Sequence, residues 1–216
     1  MTEALQTTIT ALNKITKDYF GIDYWGSGRL NSVNANPDTR ELAFRHWERV
    51  FCYELYHQIR KIIDKKIGTG DNAQFWNKVK LQGELQKMQL DEMTLAGLNL
   101  IQLEKKYIPD LIIHKIDTSE EQELVIEVKT KAGISFREYF SDLQKLNEFI
   151  EKYRFKNGLF IIANNDSHSI EQQLIINNDE INEKLTANSI SKIYITSIKD
   201  ENETVTAKRL SDILNN

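Results

Sequence analysis

The chain has 216 residues, 40% hydrophobic and 28% charged, with 28 Lys and Arg against 32 Asp and Glu for a formal charge of −4. This is the composition of a globular protein, with one decorated domain as the default at this length and two small domains as the alternative. It argues against a broadly basic nucleic-acid coat, and no apolar run approaches the length of a membrane span. The opening MTEALQTTITALNK lacks a basic segment followed by an apolar core, and the single cysteine, Cys52, can form no internal disulfide. A reducing, cytoplasmic compartment is expected.

Residues 2–19 carry Leu5, Ile9, Leu12, Ile15 and Tyr19 at helical spacing. A Gly-, Asn- and Ser-rich loop follows over 21–38, with Trp25 and Arg29 inside it. Residues 1–38 therefore read as an N-terminal helix and loop ahead of a domain over 39–216. Asp38 or Thr39 caps a helix running to about Asp64, with Phe44, Trp47, Phe51, Leu55, Gln58 and Ile62 as its stripe. Glu54 lies about 80° from the centre of that stripe and Glu48 about 40° on the other side, so either can reach inward. After a turn at 68–72, residues 75–85 read as a helix end and a strand carrying Glu84; 88–106 fit no single pattern.

Two apolar runs, Leu111–His114 and Leu124–Lys129, flank the turn-forming Asp117-Thr118-Ser119-Glu120-Glu121 and predict a hairpin. A helix is expected over 135–153, a buried strand over 158–163, helical segments over 167–177 and 179–186, a strand over 190–198 and a closing helix over 206–214. The order helix, strand, strand, strand, helix, strand predicts an α/β fold with a mixed central sheet, since a hairpin excludes a purely parallel one.

The chemistry concentrates at one end of the hairpin. Folding it about Ser119 sets Asp110 opposite Val128, one step from both Glu127 and Lys129. Side chains alternate along a strand, so Glu127 and Lys129 share a face. Two carboxylates and an amine at the end of buried runs are costly unless paired or bound to a metal. Hard oxygen donors suit Mg²⁺ or Mn²⁺, and a neighbouring lysine can orient a nucleophile or stabilise developing charge. The competing reading is a hairpin whose charged ends reach water. Two other acid-x-Lys triplets, Asp64-Lys65-Lys66 and Glu104-Lys105-Lys106, lie outside apolar runs. The four histidines form no zinc spacing, and neither a Gly-x-Ser-x-Gly elbow nor a Walker loop is present. Basic clusters at Lys61, Lys65 and Lys66, at Lys78, Lys80 and Lys87, and at Lys105, Lys106, Lys131 and Arg137 are either solvated faces or a phosphate track. Trp25, Trp47 and Trp76 serve either base stacking or the core.

Pro109-Asp110, sixteen intervening residues and then Glu127-Val128-Lys129 resemble the PD-(D/E)XK nuclease superfamily, the restriction-endonuclease-like fold. Phe51 to Arg60 resembles the acidic first helix of many bacterial members, and Asp142-Leu143-Gln144-Lys145-Leu146 resembles the helix after the catalytic strand. The resemblance covers roughly 40–165. It implies an α-β-β-β-α-β core and a metal-dependent nuclease acting on phosphodiester bonds, with DNA favoured. Asp110, Glu127 and the Val128 carbonyl would hold Mg²⁺ or Mn²⁺, Lys129 would activate water, and Glu54 would support the metal. Glu84 and Gln144 are lower-ranked candidates. A role in prokaryotic antiviral defence, a homodimer, or a subunit of a larger system would follow from the same resemblance. The alternative is a non-catalytic module binding nucleic acid or a protein on the same fold.

Overall fold

A computed structural model describes residues 1–20, 37–83, 96–97, 100–103, 107–116 and 122–215, with side chains from 47 onward in the helix that begins at Pro37. In chain order the elements are α1 (Glu3–Leu12), a 3-10 turn (Lys17–Tyr19), α2 (Pro37–Thr69), α3 (Ala73–Lys78), β1 (Lys80–Gly83), β2 (Leu111–His114) and β3 (Leu124–Lys129). Then come α4 (Phe136–Lys152), β4 (Asn157–Ala163), α5 (Ser167–Ile176), α6 (Asn178–Lys184), α7 (Ala187–Ile190), β5 (Ile193–Ile198), β6 (Lys208–Arg209) and α8 (Leu210–Leu214). Among the described residues the strands form one six-stranded sheet in chain order, β1 to β6. Antiparallel pairing joins β1 to β2, β2 to β3 and β5 to β6, while β3, β4 and β5 run parallel. The fold is therefore α/β with a mixed open sheet, its parallel pairs joined through helices, as parallel strands require.

Two apolar layers follow from strand alternation. Leu124, Ile126 and Val128 share one face with Phe51, Leu55 and Ile59 of α2 and with Leu5 and Leu12 of α1. Val125, Phe160 and Ile162 face the other way, against Leu143, Leu146 and Phe149 of α4 and against Ile170, Ile181 and Ile213 further on. The central strands are buried along nearly their whole length, which is why β4 reads as a continuous apolar run. The N-terminal helix belongs to the first of these layers. Its Glu3 carboxylate accepts from Lys66 of α2, from Asn72 just before α3 and from Trp76 of α3.

Four expectations need correction. The helix over 2–19 ends at Leu12, where the Asn13 side chain bonds the carbonyls of Ile9 and Val205 and so terminates the turn. Among the residues of α2 whose side chains are described, the buried positions are Phe51, Leu55, Ile59, Ile62 and Ile63, so Ile59 replaces Gln58 in the stripe. The closing helix is confined to Leu210–Leu214 behind a two-residue strand that pairs with β5.

The fourth correction is the hairpin register. Leu111 pairs with Ile126 and Ile113 with Leu124, so Asp110 comes level with Glu127 rather than Val128. The observed register stacks apolar residues on one face; the expected one would have set Leu111 opposite Glu127. A slip of one residue inverts every side chain, so burial selects between the two. Glu84 and the turn residues 117–121 lie outside the described residues, as do Trp25, Lys87, Lys105 and Lys106.

Candidate active site at the end of the third strand

Glu127 and Lys129 project from the last turn of the pleat of β3 toward the α4 side, because they alternate with Ile126 and Val128, which fill the opposite core. Asp110 ends the chain segment just before β2. Its Oδ2 accepts the Val128 backbone N–H at 2.7 Å, where β2 has already stopped and offers no ladder partner. The side chain thus extends the ladder by one bond, and the carboxylate makes it a charge-assisted one. N–H and C=O of one residue point the same way along a strand, so the Val128 carbonyl also faces the side of Asp110.

Helices on both sides complete the cluster. The amphipathic α4 is started by a capping box in which Ser135 and Glu138 satisfy each other's backbone N–H groups. One helical turn on, Asp142 and Lys145 lie three residues apart and therefore on one face. Lys145 Nζ donates to Glu127 Oε2 at 2.6 Å. Lys129 Nζ sits 3.5 Å from Asp142 Oδ2 of α4 and 3.5 Å from Glu48 Oε1 of α2. It is suspended between two helices by ion pairs rather than by short hydrogen bonds. Glu127 is only 1% exposed, and its second oxygen, Oε1, is buried without a hydrogen-bond partner.

The loop leaving β3 is held from the end of β4. Asn165 Oδ1 accepts from Gly133 and Ile134 N–H, and its Nδ2 donates to the carbonyls of Lys131 and Ala163. Asn164, at a φ of 60°, donates to the Thr130 carbonyl. Gly133 has a φ of 65°, a conformation favouring glycine, which lets the loop turn back toward α4.

Among the described residues, four carboxylates (Glu48, Asp110, Glu127 and Asp142) face two ammonium groups (Lys129 and Lys145), a formal −2 if all are ionised. The titration behaviour reflects that excess. Burial, then the Asp110 charge, pushes the Glu127 carboxyl well above the ordinary range, with Lys145 opposing. Burial raises Glu48 to about 7, against the pull of Lys129 and with the help of Asp110 and Asp142. Asp142 is likewise raised by burial, opposed by both lysines. Burial would lower the two ammonium groups, but Asp142 and Glu48 outweigh it at Lys129 and Glu127 does so at Lys145, so both are held above the usual lysine range. Cys52 shares this environment: burial and then Asp110, Glu48 and Glu127 raise its thiol, so it stays protonated.

The structure thus brings together Asp110, Glu127 and Lys129. From α2 it contributes Glu48, whereas the Glu54 carboxylate accepts from Gln58 at 2.5 Å along the same helix and joins neither lysine of the cluster. Gln144 is half-buried on α4, between the two positions that reach the cluster. Asp142 was not singled out as a site residue from sequence; its signal was an acid set into the apolar face of α4. Trp76 is buried in the core and Trp47 half-buried.

Among the described residues no group of three or more His, Cys, Asp or Glu side chains is arranged to hold an ion. A magnesium-like ion needs only one or two carboxylates and keeps several waters, so the donor set to weigh is Asp110, Glu127 and the Val128 carbonyl. It fits in two respects: the donors are hard oxygens, and a buried carboxylate oxygen lacks a partner in a cluster two charges short of neutral. Among the described residues no helix is long and apolar enough to cross a membrane. Compared with protein families, curated proteins and solved structures, the chain matches none.

Proposed function

We propose that this chain is a metal-dependent nuclease of the PD-(D/E)XK type that hydrolyses phosphodiester bonds, with DNA as the favoured substrate. Its support is the excess of acid at the end of β3: among the described residues four carboxylates meet two amines, and two buried carboxylate oxygens, Glu127 Oε1 and Asp142 Oδ2, have no hydrogen-bond partner. A divalent cation would neutralise the formal −2 and, when bound, would supply Lewis-acid stabilisation of the phosphate and a more acidic water.

The chain's own residues would divide the remaining work. Asp110, Glu127 and the Val128 carbonyl would hold the ion, with Asp110 oriented by its bond to the Val128 N–H. Lys129, kept cationic by Glu48 and Asp142, would donate a hydrogen bond to the attacking water or to the phosphate oxygen on which charge develops. Both of its ion pairs are 3.5 Å long, so the ammonium can turn toward substrate without giving up a short hydrogen bond. Glu48 would supply the extra acid from the long helix. Mg²⁺ or Mn²⁺ is the ion class, and a role in prokaryotic defence, alone or as a subunit activated by a partner, is the proposed setting.

The test is cleavage of plasmid and single-stranded DNA with Mg²⁺ or Mn²⁺ by wild type beside Lys129→Ala and Asp110→Ala, each checked for cooperative unfolding. Cleavage by wild type, reduced at least about a hundredfold in both variants, is expected. Equal cleavage by all three would refute this site. No cleavage by wild type under either metal would refute an enzyme active on its own and leave a partner-activated subunit or a non-catalytic binding module on the same fold.

A further inference from the structure

The two lysines of the cluster are not equivalent. Lys129 has an acid on each side, Glu48 from α2 and Asp142 from α4. Lys145 has one: among the described residues, Glu127 is the acid within ion-pair distance of its Nζ, at 2.6 Å. The Lys145 side chain is only 14% exposed, so water compensates it weakly. The same Glu127 is the buried carboxylate whose other oxygen has no partner. A divalent ion on the free Oε1 of Glu127 would place positive charge beside the Lys145 ammonium and weaken its pairing with Oε2, whereas Lys129 would keep both of its own acids.

Resting on the metal-site reading above, we propose that Lys145 is a positioning residue that serves as a displaceable counter-ion. Its ammonium holds Glu127 Oε2 in the metal-free protein, is repelled by a divalent ion bound at the free Oε1, and then pairs with a phosphodiester of the bound nucleic acid. Metal and nucleic acid therefore bind cooperatively, each favouring the other through the release of one lysine. The coupling is reciprocal, because a factor by which the polyanion tightens metal binding is the factor by which metal tightens polyanion binding.

The experiment is a Mn²⁺ titration by calorimetry at pH 8, with and without a short phosphorothioate oligonucleotide, on wild type, Lys145→Met, Lys145→Arg and Glu127→Gln. Lys145→Met is expected to bind Mn²⁺ alone at least about fivefold more tightly than wild type, the lower end of ordinary coupling. The oligonucleotide should tighten Mn²⁺ binding to wild type and to Lys145→Arg, which keeps the charge, and leave Lys145→Met unchanged. Lys145→Gln takes the place of the methionine variant if the latter does not unfold cooperatively.

The proposal is overturned if Lys145→Met binds Mn²⁺ no more tightly than wild type, or if the oligonucleotide tightens both alike. In either case Mn²⁺ binding that is lost in Glu127→Gln would leave the metal site itself standing. Absence of Mn²⁺ binding in every protein, with oligonucleotide present, would remove the metal site and this proposal together.

Discussion

Glu48 illustrates how much a single side chain depends on its surroundings. In the folded chain its carboxyl is raised by burial to about 7 from an ordinary 4.5. The folded state therefore binds the proton more tightly than the unfolded state between those values. Stability from this group is fully present below pH 4.5 and is lost as pH rises through 7. Glu48→Gln removes the loss, so its Tm should exceed that of the metal-free wild type at pH 8, with the gap closing toward pH 5. A gap independent of pH would contradict the assignment of the charged carboxylate to this cluster. The pairing of Asp110, Glu127 and Lys129 was legible from sequence, because proximity across a hairpin and alternation along a strand are local rules. The choice between Glu48 and Glu54 was not: it depends on how α2 is rotated about its axis, and the apolar stripe moves from Gln58 to Ile59 once the helix packs.

At the level of elements, the site is as rigid as the contact between α4 and the sheet beneath it. Gly158 of β4 packs tightly under the helix: a Cβ there would lie 3.3 Å from Leu146 Cβ and 3.4 Å from Ile150 Cδ1. Gly158→Ala should therefore destabilise the fold by about 1–3 kcal/mol through overpacking, read as a shift in urea midpoint with unchanged slope. Stability equal to or above wild type would show that the helix can move outward freely. The loop after β3 has a different kind of anchor. Asn165 is 8% exposed and makes four hydrogen bonds to backbone groups of that loop and of its own strand. Asn165→Ala should cost about 2–4 kcal/mol, since buried N–H and C=O groups lose partners, and should loosen the segment joining Lys129 to α4. The measurement is urea unfolding together with amide exchange at Gly133 and Ile134; unchanged exchange would show that the loop does not rely on this residue.

At the scale of the whole molecule, the N-terminal helix fills the core beneath the sheet. Ala4, Leu5, Ala11 and Leu12 are fully buried beside Phe51 and Leu55, and Glu3 collects bonds from α2 and α3. A chain beginning at Lys17 would expose that apolar layer, so it should lose cooperative unfolding or aggregate, as shown by a broadened calorimetric transition. A sharp transition at the wild-type temperature would instead mark residues 1–16 as an appendage.

Some of this molecule was settled by short-range rules that operate within the sequence. Apolar alternation and turn chemistry determined the hairpin, the α/β order and the gathering of Asp110, Glu127 and Lys129 at one strand end, because each depends on residues a few positions apart or joined by one turn. Only the tertiary structure decided the register, where burial of Leu111 against Ile126 outweighed a turn centred on Ser119. It alone selected Glu48 from α2 and set Asp142 and Lys145 of α4 against Lys129 and Glu127. Those partners come from helices far apart in the chain, and their meeting is fixed by how each apolar face packs on the sheet, a collective outcome that no local pattern encodes.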